Sequence, residues 1–320
     1  MTLPTGTITM AQVNAEISAS PTAYITLNDA DVRTIADIPS GFISMDDLRG
    51  QSYAFQATGG TVYNGPNYVT HVFTSPGTFS VQSTGSSGSV NYVIIGGGGG
   101  CGYEVPGGNT APHPGEWGTG GAGAYRTGST TVTATDYPVV IGGGGGAYNN
   151  GGTSSVFSLS SPGGGGGAPS GSNGKSGGSG GGGGAARASP SFTSSAGSGG
   201  NTTDSNYGMY GEPGWPYIVY PDGYRRTGYG GLGGGANWAG NNNAATQSPF
   251  SSRNMDQGTY LPSEVGPHTT TSRVAGGGRY DYPTIPAASK DPGYNRYGGG
   301  GGLTEGQSGQ AGFVAVTYFV

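Results

Sequence analysis

Short stretches in which apolar and polar residues alternate predict β-strands along much of this chain. Residues 71–81 (HVFTSPGTFSV) contain two such stretches around a Pro-Gly turn. Residues 90–95 (VNYVII) and 137–141 (YPVVI) are rich in β-branched side chains, and both pass directly into glycine. Residues 312–320 (GFVAVTYFV) predict a terminal strand. The pattern therefore predicts a mainly β fold with β-sandwich-like strands and long irregular loops.

The first 50 residues contain a short repeat that predicts capped helices. Residues 6–13 (GTITMAQV) match residues 41–48 (GFISMDDL). In each copy a Thr or Ser precedes the expected helix, and a Gln or Asp three residues later can reach back to it, as in a capping box. Residues 28–35 predict a third short helix. The expected capping pairs are Thr9 with Gln12 and Ser44 with Asp47.

These patterns divide the chain into two predicted domains, residues 1–52 and residues 53–320. The first is either a modest compact domain or a module that also docks onto a partner, and the sequence leaves both readings open. If it docks, the apolar positions of the repeat are the candidate attachment residues. They are Ile8, Met10, Val13, Ile43, Met45 and Leu48.

Five separate runs of five glycines interrupt the second domain. Extended glycine adopts a left-handed helix with three residues per turn, and a run of five is about 15 Å long in that form. Such a helix has no internal hydrogen bonds, so its amides and carbonyls need partners once they are buried. Neighbouring glycine helices can supply them, which predicts a packed polyglycine-II lattice. The runs are residues 96–100, 142–146, 163–167, 180–184 and 298–302.

Other uses of glycine fit the sequence less well. Collagen needs glycine at every third position, and that period is absent. Flexible linkers are usually Gly/Ser mixtures, which only residues 170–200 resemble. A phosphate-binding loop fails at Gly174-Lys175-Ser176, because Pro169 stands where that motif needs its first glycine. Looser glycine loops on a β scaffold remain the alternative to a lattice.

Composition narrows the range of functions. The chain has 72 glycines among 320 residues, but 10% aromatic and only 9% charged residues. That balance differs from disordered chains, which are usually highly charged. The net charge of −5 and the lack of a basic patch argue against nucleic acid as a partner. No apolar run is long enough to span a bilayer, and residues 1–4 do not resemble a secretion signal.

Residues 201–297 change in composition and are rich in Tyr, Asn, Ser and Gly. Rigid aromatic rings among small polar residues are typical of recognition loops. The rings could equally pack against the glycine lattice, which has no side chains of its own to form a core. The candidate receptor-binding residues are Trp215, Tyr217, Tyr220, Tyr224, Tyr229, Trp238 and Tyr260.

The order of strands and glycines resembles a known class of virion protein. Residues 90–100, followed by residues 121–126 (GAGAYR), residues 131–142 and the closing residues 309–314, resemble glycine-rich tail-fibre proteins of marine phages. The lattice is similar to that of tail-fibre tip adhesins of T-even-type phages, in which polyglycine helices form a slab whose end loops bind the host receptor. This chain differs from them in its N-terminal domain and in residues 201–297.

The resemblance implies a virion protein that is assembled in the host cytoplasm and is located in the tail or fibre. Residues 1–52 would attach it to other tail or fibre proteins, and it would bind a glycan or outer-membrane protein on the host. Phage fibres imply a homotrimer, with a monomeric tip as the alternative. An architectural component without receptor binding, such as a fibre connector, baseplate part or capsid-surface fibre, is the second function considered.

Catalysis has little support in the sequence, and we expect no enzyme, cofactor or metal. His71, His113 and His268 lack the spacing of metal ligands, and Cys101 has no evident base partner. A polysaccharide depolymerase would need a pair of carboxylates. No spacing favours any two of Asp204, Glu212, Asp222, Asp256 and Glu264.

Overall fold

A computed structural model of the chain combines a small helical N-terminal module with antiparallel sheets and a lattice of glycine helices. The longest strands have seven or eight residues, and extended glycine segments follow several of the strands. The structure describes residues 3–17, 20, 22–36, 38–51, 54–85, 88–103, 117–185, 188–189, 192–193, 198, 200–201, 218–219, 225–226, 233–234, 259–262, 273–275, 298–301 and 307–320.

The N-terminal module has the three short helices that the sequence predicts. They are α1 (Met10–Glu16), α2 (Ala30–Ala36) and a 3-10 helix at Met45–Leu48. Thr9 and Gln12 form the expected reciprocal box, in which the Thr9 amide donates to Gln12 Oε1 at 2.8 Å and the Gln12 amide donates to Thr9 Oγ1 at 3.3 Å. In the second copy, the Asp47 carboxylate accepts from both the amide and the hydroxyl of Ser44, each at 2.8 Å.

Sixteen strands are described in the remainder of the chain. The longer strands are β1 (Phe55–Thr58), β2 (Thr61–Asn64), β3 (Tyr68–Phe73), β4 (Gly77–Thr84), β5 (Ser89–Ile95), β6 (Tyr125–Thr131), β7 (Asp136–Val139), β8 (Ser154–Val156), β9 (Leu159–Ser161) and β16 (Phe313–Phe319). The two-residue strands are β10 (Ala188–Ser189), β11 (Phe192–Thr193), β12 (Ile218–Val219), β13 (Arg225–Arg226), β14 (Thr259–Tyr260) and β15 (Arg273–Val274).

Two antiparallel sheets form the sandwich. A five-stranded sheet has the order β2-β3-β16-β5-β6, and a three-stranded sheet has the order β1-β4-β7. The terminal strand β16 therefore lies at the centre of the larger sheet, between β3 and β5. The Pro-Gly turn between β3 and β4 is not a hairpin turn, because these consecutive strands belong to different sheets. The mainly β fold that the sequence predicts is confirmed.

The main hydrophobic core fills the space between these two sheets. Phe79 and Val81 of β4 pack with alternate residues of the larger sheet, among them Ile94 and Val316. Phe55 stacks on Tyr318 with ring centroids 4.2 Å apart, so the first and the last strand meet in this core. The apolar residues that alternate along these strands thus form the inner face of the larger sheet, and this face is buried against the smaller sheet.

The opposite face of the five-stranded sheet, which we call the outer face, is covered in part by a second cluster. Val93, Ile95 and Phe313 on this face pack with Leu261 and Ala275 from the Tyr-rich segment. Ile95, Phe313 and Tyr125 lie side by side at the end of the sheet, because β16 and β6 both pair with β5 at this position. The glycine segments begin directly beyond this end.

Residues 96–102 show the hydrogen bonding of a polyglycine-II helix. The amides of Gly96, Gly99 and Gly102, three residues apart, all donate to residues 118–124. A bonding period of three matches three residues per turn. The partners are the carbonyls of Ala124, Gly121 and Gly118, in antiparallel order, at 3.1, 2.9 and 2.9 Å.

The remaining groups of this helix bond to further extended segments, so the predicted lattice is present. Among the described residues, six segments surround residues 96–102, some parallel to it and others antiparallel. Several of them are mixed in sequence, so segments other than the five glycine runs also take part in the lattice. The segments that accept its amide hydrogens are 118–124, 149–152 and 307–310, and those that donate to its carbonyls are 145–148, 164–167 and 298–301.

The absence of side chains is a packing requirement inside this lattice. A Cβ atom on Gly96, Gly99 or Gly102 would overlap a backbone carbonyl of residues 162–168. At the lattice surface the requirement disappears, since a Cβ on Gly143 or Gly146 would meet no atom within 4 Å. Glycine is therefore needed where a helix faces a neighbour and is dispensable where it faces solvent.

Candidate functional site

Residues 233–234 of the Tyr-rich segment 201–297 bond to the glycine lattice through their backbone. Gly234 accepts from the Ala122 amide and donates to the Gly180 carbonyl, both at 2.9 Å. The adjacent Gly233 amide donates to Thr119 Oγ1 at 2.8 Å. Residues 233–234 thus act as one more strand of the lattice in the middle of the segment.

A second attachment lies on the outer face of the five-stranded sheet. Leu261 follows β14 and is 5% exposed, and Ala275 follows β15 and is fully buried. Both pack on the outer-face cluster. Ala275 has φ of 54°, a left-handed conformation that is uncommon outside glycine. The short β14-β15 pair is thereby positioned against the sheet through its two ends.

A row of polar side chains crosses the outer face beside this attachment. The β-ladder places Thr317 opposite Asn91, and Asn91 opposite Ser129. On the other side of Thr317 lies Thr70, and their hydroxyls are 2.8 Å apart. Tyr63 is opposite Thr70 and completes the row. Directly opposite side chains in an antiparallel pair have Cβ atoms about 4.5–5.5 Å apart, so the exposed Asn91 and Ser129 are within reach of one ligand. Thr70 and Thr317 are buried beside them.

A parallel row that is mostly apolar lies next to it, closer to the lattice. Ala315, Val93 and Thr127 are aligned across β16, β5 and β6. Thr127 donates its hydroxyl to the Tyr92 carbonyl at 3.1 Å. Parts of the two rows and Pro262 of the Tyr-rich segment line an open groove of about 330 Å³. Its lining residues are Asn91, Tyr92, Val93, Thr127, Gly128, Ser129, Pro262, Ala315 and Thr317.

The described lining of this groove carries no ionisable side chain other than Tyr92, whose ring packs in the core on the inner face. Arg126 on β6 alternates away from the groove and donates to the Ser160 carbonyl at 3.2 Å. Burial raises the pKa of nearby Tyr125 to about 12, so that phenol is neutral at all physiological pH values. The groove therefore offers hydroxyl and amide groups beside apolar surface, without fixed charge.

Most of the predicted receptor-binding residues fall outside the described part of the chain. They are Trp215, Tyr217, Tyr220, Tyr224, Tyr229 and Trp238. For Tyr260 the backbone is described, and it pairs with Arg273 in the β14-β15 ladder. The receptor-binding role of all seven residues stays a prediction.

Sequence reasoning did not identify the groove residues. Asn91 could have drawn attention, because it is a polar residue within the apolar run of β5. Ser129 and Thr127 alternate with residues on the opposite face of β6, a pattern too common to signal a site. Thr317 and Pro262 lie far from them in sequence, and only the strand order brings them together.

The candidate attachment residues lie mainly inside the N-terminal module. Ile8, Val13, Ile43 and Leu48 belong to its buried core, and Met45 packs against it. Met10 is partly exposed. Two aromatic side chains of the module lie on its surface, since Tyr24 is 92% and Phe42 is 88% exposed. Attachment through this module stays a prediction, and these two rings are the apolar surface that a partner could contact.

Other chemistry is sparse in the residues that the structure describes. They include no cluster of three or more His, Cys, Asp or Glu side chains that could hold a metal ion. None of the helices described here is long and apolar enough to cross a membrane. Cys101 is fully buried in the lattice, where the Gln307 amide donates to its Sγ at 3.0 Å.

Comparison with known proteins agrees with the glycine architecture. No curated protein sequence matches the chain. Residues 74–319 match a family model described as a glycine-rich domain, and this range includes β4 to β16 and every glycine run. The match spans well over half of the sequence, and the chain therefore belongs to the glycine-rich domain family.

Proposed function

We propose that this protein is a phage virion protein, a tail fibre or fibre-tip adhesin that binds a receptor on the host cell surface. The observation that carries the proposal is the attachment of described residues of the Tyr-rich segment to the glycine lattice and to the five-stranded sheet. Residues 233–234 bond to the glycine lattice, and Leu261 and Ala275 pack on the five-stranded sheet. Attachment points of this kind within a recognition segment reduce the entropy lost on association.

The lattice also suits a protein that works outside the cell without covalent cross-links. Its segments bond to one another through backbone groups at 2.6–3.2 Å, and its one cysteine, Cys101, is buried and forms no disulfide. Backbone bonding of this kind does not depend on a redox environment. A fibre or fibre tip is exposed outside the cell and needs a scaffold that holds together without disulfides.

Location in the particle tests the proposal. Antibodies against the purified chain would be applied to particles produced from the genome that carries this sequence, and examined by electron microscopy with gold labels. We expect labels on the tail or its fibres, and we expect the purified chain to reduce adsorption of those particles to their host. Particles that contain none of the chain would overturn the proposal.

The second candidate is an architectural virion component without receptor binding, and the N-terminal module favours it. Exposed Tyr24 and Phe42 provide apolar surface for a partner in the particle. The module is acidic, which favours a basic partner surface. Its acidic residues are Glu16, Asp29, Asp31, Asp37, Asp46 and Asp47, against Arg33 and Arg49.

Deletion of residues 1–50 separates the two candidates. If the shortened chain is lost from particles but still blocks adsorption, the module is an anchor and the remainder is an adhesin. If the full chain is present in particles and neither form affects adsorption, the architectural role is supported and receptor binding is excluded.

A further inference from the structure

We infer that the groove on the outer face of the five-stranded sheet is a binding subsite for an uncharged sugar. The groove is open and is lined by Asn91, Thr127, Ser129 and Thr317 of the sheet and by Pro262 of the Tyr-rich segment. The inference rests on the proposed function, because recognition of a host-surface glycan is the task that such a subsite would serve. It assigns a ligand class to residues outside the seven aromatic candidates.

The first argument is the spacing of hydrogen-bonding groups. Thr317, Asn91 and Ser129 are directly opposite one another on three adjacent strands. The Ser129 hydroxyl donates and accepts, and the Asn91 amide does both through separate atoms. Thr317 is buried next to them, and its hydroxyl is bonded to that of Thr70. Neighbouring hydroxyls of a pyranose ring present the same alternation of donors and acceptors. Asn91 and Ser129 are exposed, so their polar atoms are available to a ligand.

The second argument is the apolar surface beside this polar row. Val93 and Ala315 are buried at the base of the groove, and Pro262 forms one wall. A sugar ring has a C–H face as well as hydroxyl edges, and it needs both kinds of contact. Small-molecule sites generally combine mostly apolar lining with a few placed polar groups. The groove has this combination.

The third argument concerns charge and size. Arg126 is directed to the other face, where it bonds to Ser160. Acidic sugars are usually bound by Arg or Lys, because a carboxylate is costly to desolvate without a cation. The described lining has no such cation, which favours neutral sugars. At about 330 Å³ the groove is at the small end of ligand sites and suits the end of a glycan chain.

Direct binding to defined sugars tests the inference. The full chain would be titrated with the methyl glycosides of glucose, galactose and mannose and with N-acetylglucosamine, and binding would be followed by saturation-transfer NMR. N-acetylneuraminic acid and glucuronic acid would be the charged comparisons. We expect at least one neutral sugar to bind with a dissociation constant on the order of 1 mM, as is usual for so small a ligand.

Two variants locate the binding. Asn91→Val removes the amide and keeps a side chain suited to a strand, and we expect it to weaken binding about tenfold. Thr131→Val is the matched control, since Thr131 is exposed on the same face of β6 but does not line the groove. Equal thermal unfolding temperatures for both variants and the parent chain would show that the fold is intact.

The outcomes distinguish this inference from the proposed function. Lack of binding by all four neutral sugars, or equal loss of binding in both variants, overturns the sugar subsite even if the chain is found on tail fibres. Preference for the two acidic sugars overturns it as well. Sugar binding that Asn91→Val weakens, by a chain that is absent from virions, would support the subsite and overturn the phage adhesin.

Discussion

The amide of Gly99 donates to the carbonyl of Gly121 at 2.9 Å, in the centre of the glycine lattice. On another side, Gly99 lies so close to Gly165 that a Cβ atom would overlap the Gly165 carbonyl. Both relationships follow from the same geometry, because helices without side chains approach until their backbone groups bond directly. The lattice therefore contains many backbone hydrogen bonds and has no room for even one methyl group at these contacts.

Replacing Gly99 with alanine should disrupt the lattice. The new methyl group would meet backbone atoms that cannot rotate away, so we expect a loss of about 3 kcal/mol or more in unfolding free energy. Calorimetric unfolding of the parent chain and the variant measures it. Gly143→Ala is the matched control, because a Cβ there meets nothing within 4 Å. It should be neutral or stabilising by up to about 1 kcal/mol, since alanine restricts the unfolded chain. Similar losses in both variants would contradict the lattice packing.

His71 should make the sandwich sensitive to mild acid. Its Nδ1 donates to the Gly59 carbonyl at 2.7 Å, its Nε2 has no partner among the described residues, and its ring packs against Phe79. Burial lowers the pKa of His71 below 6.5, and the bond to Gly59 offsets part of that effect. The unfolded state therefore binds the proton more readily, and stability falls as pH decreases below about 6.5.

Urea unfolding between pH 7.5 and 5 measures this effect, with His71→Gln as the comparison. The variant should be less stable at pH 7.5, but it should lose less stability on acidification because it lacks the buried imidazole. The other two histidines are present in both proteins, so their contributions cancel in the comparison. The lowered pKa values of Asp29 and Asp47, which come from their hydrogen bonds to Thr26 and Ser44, act only below about pH 4 and do not interfere. Parallel pH profiles for the two proteins would show that His71 does not titrate on unfolding.

Removal of the first capping box should weaken α1. Thr9→Ala deletes the acceptor for the Gln12 amide and should cost about 1 kcal/mol in the stability of the N-terminal module. Hydrogen exchange of the α1 amides measures the change. Thr7→Ala, at an exposed position two residues earlier, should leave exchange unchanged. Equal exchange rates in the two variants would mean that the box does not stabilise the helix.

Incorporation into particles should depend on the surface of the N-terminal module and not directly on its core. We expect Tyr24→Ser with Phe42→Ser to reduce the amount of chain in particles while the thermal unfolding temperature stays within about 1 °C of the parent, since both side chains are already exposed. Quantitative mass spectrometry of purified particles provides the measurement. Val13→Ala should instead lower stability by about 1–3 kcal/mol, because Val13 is fully buried. Normal incorporation of the double variant would exclude these rings as the contact.

Local features were predictable because they depend on neighbours in sequence. The box at Thr9 and Gln12 involves residues three apart, and β5 and β16 follow from their own apolar runs. The polyglycine-II conformation also follows from composition, since pure glycine runs need external backbone partners. Composition did not indicate that mixed segments such as residues 118–124 also take part in the lattice. In that segment a side chain is accommodated at Thr119, while Gly118, Gly120 and Gly121 face carbonyls of neighbouring segments.

The sequence by itself thus determined the local elements, the mainly β character and the presence of glycine helices. Only the tertiary structure decided that β3 and β4 part into different sheets, and that β16, from the end of the sequence, lies beside β3 and β5. The physical reason is that strand pairing joins residues more than two hundred positions apart, as with Thr70 and Thr317, through backbone bonds that carry no sequence signal. The groove beside Asn91 follows from that pairing, and so does the placement of Pro262 against it.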